Sequence, residues 1–277
     1  MSQLPEFESP QAQQLGVATR PRILAISNQK GGVGKTTTTV NLATAMAAVK
    51  KKVLVIDMDP QGNASTSLGI DQKHRAINTY HLLFDEKKIS EAAIATAVPN
   101  LYIVPSGVDL AGGELELVDV DNRQARLKMA LEKQGADYDF ILIDCPPSLG
   151  LLTLNALVAA DAVMVPLQAE FLALEGISHL VRTIERIRKG FNPRLEIQGI
   201  VLTMVDKRNN LSEMVESDVR SYFGEKVYST VIPRNVRISE APSHGKPILI
   251  YDLHSKGAQA YLNLAGEVLK REQMAAA

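Results

Sequence analysis

The sequence predicts a doubly wound α/β fold, a mostly parallel sheet with helices on both faces, and three observations carry that expectation. Short apolar runs of strand length alternate with helix-length segments from Ile23 onward, the pattern of parallel strands joined by helical crossovers. One run, Ile23-Leu24-Ala25-Ile26, leads into Ser27-Asn28-Gln29-Lys30-Gly31-Gly32-Val33-Gly34-Lys35-Thr36-Thr37, and an apolar-periodic segment from Val40 to Val49 follows. Two further runs, Val53–Ile56 and Phe140–Ile143, each close on an aspartate, at the edge where open α/β sheets bind ligands.

In chain order, residues 1–21 hold Pro5, Pro10, Pro21 and several glutamines without a sustained apolar period. They are expected to form a mobile tail, leaving 22–277 as a single domain. No basic start precedes an apolar stretch there, so the segment does not read as a secretory signal.

Strand, glycine-rich turn and helix in that order make a phosphate-binding loop. Gly31, Gly32 and Gly34 carry no Cβ, so the backbone can take left-handed angles and approach a phosphate closely. The candidate nucleotide contacts are Lys30, Gly31, Gly32, Val33, Gly34, Lys35, Thr36 and Thr37, whose successive amides form an anion-binding nest at the positive end of the next helix. Lys35 is the point charge for β- and γ-phosphates, and the Thr36 hydroxyl is a Mg²⁺ ligand. The Val40–Val49 segment reads as an amphipathic helix.

The run Val53-Leu54-Val55-Ile56-Asp57-Met58-Asp59-Pro60-Gln61-Gly62-Asn63 reads as a buried strand breaking into a loop at Pro60 and Gly62. Asp57 and Asp59 are two residues apart, so an extended backbone would aim both the same way. They are expected to face the phosphate loop from an adjacent strand. Residues 64–100 mix short helical signals with polar loop, and His74 and His81 within them lack metal-ligand spacing.

Leu101–Pro105 reads as a strand, and Ala111–Gln134 as helix interrupted near Asp119–Asp121. Phe140–Ile143 closed by Asp144 is a Walker B arrangement, in which the carboxylate holds Mg²⁺, often through water. Cys145 reads as a small buried hydrophobe beside it. Ala162–Leu167 is a strand, Phe171–Lys189 a long helix, Ile197–Val205 a strand, and a helix runs from the Asp206–Asn210 segment to Tyr222. Val227–Ile232 is read as a further strand, leading into Pro233-Arg234-Asn235-Val236-Arg237.

The composition is that of an ordinary globular chain, 45% hydrophobic and 22% charged over 277 residues. A formal net charge of −1 means that any nucleic-acid site is a local patch. The single cysteine excludes an internal disulfide and the several thiolates of an iron–sulfur centre. No apolar run reaches the length of a transmembrane helix.

The general phosphate-loop pattern has glycine where this chain has Gln29, and the chain adds Lys30. Lys-Gly-Gly-Val-Gly-Lys-Thr-Thr resembles the deviant Walker A motif of the ParA/MinD class of P-loop ATPases. From Arg22 to Leu269 the chain resembles ParA/Soj chromosome-partitioning ATPases. That resemblance implies that Lys30 crosses a dimer interface to the partner subunit's nucleotide, so Lys30, Lys35 and Asp59 carry catalysis. Asp59 would position the attacking water, Asp57 would support the Mg²⁺ shell, and Pro146–Gly150 would act as switch II. Pro233 and Asn235 match adenine-lining positions, and Arg208 and Arg237 match DNA contacts. The implied protein is an ATP- and Mg²⁺-dependent homodimer in the cytoplasm, on the nucleoid, binding DNA without regard to sequence. A ParB-type partner would stimulate its hydrolysis and release it.

Charge adds little to the DNA expectation: residues 177–250 carry twelve Lys/Arg against eight Asp/Glu. Two alternatives share the same ATPase core. One is a MinD-like ATPase cycling on a membrane, but the C-terminal Tyr261–Met274 lacks an aromatic anchor at its end, and its apolar positions suit packing on the domain. The other is a ParA-like positioner of a different cargo. A metabolic ATP-dependent ligase would need a second substrate site, for which no motif stands out.

Overall fold

The computed structural model describes residues 20–276, apart from 135, 136, 171, 172 and 207. The expected tail therefore lies outside the described residues, except for Arg20 and Pro21. The first half of the chain runs β1 (Arg22–Ile26), α1 (Lys35–Ala48), β2 (Val53–Asp57), α2 (Asn63–Ser67), α3 (Thr79–Leu83), α4 (Ile89–Ala92), β3 (Ile94–Ala95), β4 (Leu101–Val104), α5 (Asp109–Glu116) and α6 (Arg126–Gln134). The second runs β5 (Phe140–Asp144), α7 (Leu151–Ala159), β6 (Ala162–Gln168), α8 (Ala173–Gly190), β7 (Glu196–Thr203), α9 (Asn210–Phe223), α10 (Val236–Glu240), α11 (Ile248–Tyr251) and α12 (Lys256–Ala276).

Seven strands form one sheet in the order β3-β4-β2-β5-β1-β6-β7, and only β3 is antiparallel. The doubly wound parallel architecture is as expected. Helices cover both faces, which is why the strands read as continuous apolar runs rather than alternating ones. Ile23 and Ala25 pack on the side of α6, α7 and α8, while Leu24 and Ile26 pack on the side of α1 and α12. Burying each such Leu or Ile side chain contributes ~1.5–3 kcal/mol.

Three expectations are corrected. β2 does not lie beside β1, because β5 runs between them, pairing Ile26 with Asp144 on one side and Asp57 with Asp144 on the other. Secondly, α1 begins at Lys35 and is buried almost all round rather than amphipathic, because α12 covers the side turned away from the sheet. Several of its polar side chains bond back into the helix: Thr39 and Thr44 donate to the carbonyls of Lys35 and Val40, and Asn41 donates to that of Thr37.

The third is the strand expected at Val227–Ile232. That segment forms no ladder with β7: it meets the strand at an isolated bridge of Ile200 with Val227 and at one further amide, Ile232 to the Leu202 carbonyl (2.8 Å), and beyond the strand's end Val205 bridges Pro233. Between them the Glu267 carboxylate of α12 accepts from the amides of Ser229 (2.8 Å) and Thr230 (3.0 Å). Those donors are thereby withdrawn from any ladder.

Candidate functional site

The loop between β1 and α1 is held open from three directions. Gly32 and Gly34 take φ of +75° and +87°, the left-handed angles the glycines were expected to supply. Asn28 donates to the carbonyl of Pro166 at 2.8 Å, and Thr203 at the end of β7 donates to that of Val33, also at 2.8 Å. Lys35 is 7% exposed, and its Nζ donates to the Lys30 carbonyl at 3.0 Å, so the ammonium lies inside the loop. Burial lowers its pKa, and the nearby Asp144, Cys145 and Asp59 work against that shift.

A cleft of about 370 Å³ opens over the loop, lined by Gly31, Gly32, Gly34, Lys35, Thr36, Thr37, Asp59, Gln61, Asn63, Pro147 and Met204. A second cleft of about 290 Å³ shares Gly34, Thr37 and Met204 with the first and continues to Pro233, Asn235, Ile238 and Tyr261. Of the expected nucleotide residues, Gly31, Gly32, Gly34, Lys35, Thr36 and Thr37 line the first cavity and Pro233 and Asn235 the second, whereas Val33 is fully buried and neither it nor Lys30 lines either. Met204 stands at the junction with φ of +53°, a strained angle for a side chain of that size. The Asn235 Oδ1 is already engaged, accepting from the amides of Arg237 and Ile238 as the cap of α10.

The two aspartates of the Asp57–Asn63 segment have separate surroundings. Asp59, 8% exposed, lines the cleft and accepts from the Gln61 amide at 3.0 Å. Asp57 is fully buried and does not line it; its carboxylate accepts from the Ser65 amide (2.9 Å), the Ser65 hydroxyl (2.6 Å) and the Asp59 amide (3.2 Å). Burial pushes the Asp57 carboxyl up, and the Ser65 hydrogen bonds hold it down.

Asp144 is also fully buried. One oxygen accepts from Thr39 at 3.1 Å, while Oδ2 has no hydrogen-bond partner among the described residues. Burial first, then repulsion from Asp57, pushes its carboxyl well above the ordinary carboxylate range, and the nearby Thr36 and Thr39 hydroxyls oppose this. An orphaned carboxylate oxygen beside a threonine hydroxyl is a hard-oxygen donor set that suits Mg²⁺. Among the described residues no three His, Cys, Asp or Glu side chains gather into a protein-only metal cage. The ion would therefore complete its shell with phosphate and water, as Mg²⁺ ordinarily does. Cys145 is 1% exposed and burial pushes its thiol up, in keeping with a packing role.

Lys30 lies at the mouth of the loop, half-exposed, with Nζ 3.1 Å from Glu170. Arg208 and Arg237 lie outside the clefts. Arg208 is 89% exposed and pairs with Asp206 at 2.8 Å, and Arg237 pairs with Glu240 at 3.0 Å and Asp252 at 3.6 Å. The bridge between Val205 and Pro233 brings their two segments to the same edge of the sheet. Ser65, Thr39, Asn28 and Thr203 escaped sequence reasoning: each is a common hydroxyl or amide whose partner is set by folding.

A family model described as "AAA domain" matches residues 21–197. A chromosome partitioning protein, ParA, of Caulobacter vibrioides is 59% identical over 254 residues, covering 91% of this chain and 95% of its own. A sporulation initiation inhibitor protein, Soj, of Bacillus subtilis is 53% identical over 247 residues, covering 89% and 98%. Among solved structures, one described as cobyrinic acid a,c-diamide synthase of Mycobacterium smegmatis, with bound ATP analog and magnesium, has a TM-score of 0.80 and 37% identity, covering 91% of this chain and 96% of that one.

Proposed function

Because this chain belongs to the ParA/Soj family of chromosome-partitioning proteins, we propose that it is a Mg²⁺-dependent ATPase that dimerises around ATP and binds DNA in that state. A ParB-type partner stimulates hydrolysis and so releases it. The observation that carries this is the pair of adjoining clefts meeting at Gly34, Thr37 and Met204, which together have the layout of a nucleotide site. The triphosphate lies on the amides of Gly31 to Thr37 with Lys35 at its β- and γ-phosphates, and the base lies toward Pro233 and Asn235.

Thr36 and Asp144 would hold Mg²⁺, which supplies charge neutralisation at the β- and γ-oxygens. Asp59 orients the attacking water and accepts its proton. Asp57, saturated by Ser65, supports the Asp59 loop and reaches the metal shell only indirectly.

Lys30 reaches the partner subunit's nucleotide once it leaves Glu170. Lys30→Ala is therefore expected to leave nucleotide binding by the monomer within about twofold, while removing most of the ATP-dependent dimer and its turnover. Light scattering that finds a normal ATP dimer with normal hydrolysis would overturn the assignment.

Arg208 and Arg237 contact DNA phosphates. Both arginines are exposed while their acidic partners are half-buried, and ion pairs with one member in solvent are weak enough to exchange. A dimer joins two such patches and gains effective concentration, so ATP controls DNA affinity by making the dimer. The test is filter binding with ATP at two salt concentrations. Wild type should retain DNA of any sequence, steeply less at high salt. The Arg208→Ala/Arg237→Ala variant should lose at least about tenfold in affinity while keeping its ATP dimer. Equal retention would assign both arginines to their ion pairs alone.

A membrane-cycling reading has less support. No described helix is long and apolar enough to cross a membrane. The helix α12 spends Tyr261, Leu264, Ala265 and Val268 on packing inside the domain. The names of the curated relatives favour chromosome partitioning over another cargo. In this reading the DNA-bound dimer sits on the nucleoid, in the cytoplasm.

A further inference from the structure

We propose that Arg75 is a positioning residue for hydrolysis, its buried guanidinium fixing the loop that presents Asp59, Gln61 and Asn63 to the phosphate end of the cleft. This rests on the ATPase reading above and adds a residue to it. Arg75 follows the short turn Gln72–His74 and is 5% exposed. All of its described hydrogen bonds go to neutral oxygens: Nε and Nη2 to the Ile70 carbonyl (3.1 and 2.7 Å), Nη1 to the Gly62 carbonyl (3.3 Å) and Nη2 to the Thr66 hydroxyl (2.9 Å).

A buried cation without an ion pair is costly, and an apolar side chain would fill such a space at least as stably. What the guanidinium supplies instead is a planar fork of donors in fixed directions. It holds the loop before α2, the body of α2 and the exit from it. Five residues are too few to be helical unaided. From the other side the Asp57 carboxylate takes the Ser65 amide and hydroxyl. Two buried charges of opposite sign thus clamp one short helix between them.

The clamp reaches the chemistry in two links. Gly62 has φ of +63°, and a Cβ there would lie 2.4 Å from Arg75 Nη1, so the approach depends on glycine. The Gly62 amide donates to the Asp59 carbonyl at 2.9 Å, and the Gln61 amide donates to the Asp59 carboxylate at 3.0 Å. Arg75 itself does not line the cleft. It acts by holding the Asp59 carboxylate in place before the nucleotide arrives, so that little reorganisation remains when water attacks.

The test uses the full chain with Arg75→Lys, Arg75→Met and Arg75→Ala, measuring phosphate release, the affinity for a fluorescent ATP, and amide hydrogen exchange without nucleotide. In Arg75→Lys and Arg75→Met, kcat is expected to fall about 10- to 100-fold while KM and ATP affinity stay within about twofold. Exchange at Gly62 and Ser65 should speed up in the nucleotide-free protein. Guanidinium ion at millimolar concentration should restore part of the kcat of Arg75→Ala and leave wild type unchanged. Should Arg75→Ala fail to fold, Arg75→Lys carries the test. Folded variants with wild-type kcat, or a loss confined to KM, would overturn the proposal. A wild type that hydrolyses no ATP even with DNA and partner would instead overturn the ATPase reading.

Discussion

Lys35→Ala is expected to abolish detectable ATP binding, and with it the ATP dimer. Among the described residues, Lys35 is the only cationic one lining the cleft over the β1–α1 loop. Its ammonium is already desolvated inside the loop, so its attraction for a triphosphate is little screened by water. Removing one partner of a buried, hydrogen-bonded charge pair costs about 3–5 kcal/mol, roughly two to four orders of magnitude in Kd. The backbone nest remains, but amide dipoles alone do not replace a full charge. Unfolding of the nucleotide-free protein should not be made easier, since the variant loses a charge that burial disfavours. A titration with fluorescent ATP giving unchanged affinity would remove the phosphate-loop assignment.

Asp59→Ala should separate binding from turnover. The side chain lines the cleft but touches neither the Lys35 amine nor the Thr39–Asp144 pair in any described hydrogen bond. ATP and Mg²⁺ should therefore stay bound, while hydrolysis falls by about two to four orders of magnitude for want of a water-positioning base. The protein should accumulate as an ATP dimer on DNA, seen by gel filtration with DNA and by phosphate release. Wild-type turnover in this variant would shift the role, and Asp57 would be tested next.

The nucleotide loop was legible because its chemistry is contiguous: strand, glycines, Lys35, Thr36 and helix occupy neighbouring positions. Asp144 was legible for the same reason, as the end of one apolar run. Strand order was not, since nothing in Val53–Asp57 says that Phe140–Asp144 will sit between it and β1. The missing strand at Val227–Ile232 also has its cause outside the segment, the Glu267 carboxylate 37 and 38 residues on from the amides it takes. Asn28 and Pro166, or Thr203 and Val33, meet across well over a hundred residues. Arg75 reads as an ordinary surface arginine until folding buries it among carbonyls. Local pattern reports the groups proposed to meet the nucleotide, and topology decides which groups hold them.

The interrupted ladder beside β7 bears on how copies of this protein can assemble. An open edge strand is a template for another chain, and unpaired edges are how sheets polymerise. Here one edge is occupied by a segment whose amides are diverted to Glu267, and Lys226 covers the Ile197 carbonyl at 2.9 Å. The opposite edge ends in β3, two residues long and antiparallel. Among the described residues neither margin offers a long open strand. On the reading proposed above, in which copies gather along DNA, growth into sheet-linked filaments is thereby disfavoured, and association falls to surfaces other than the sheet margins.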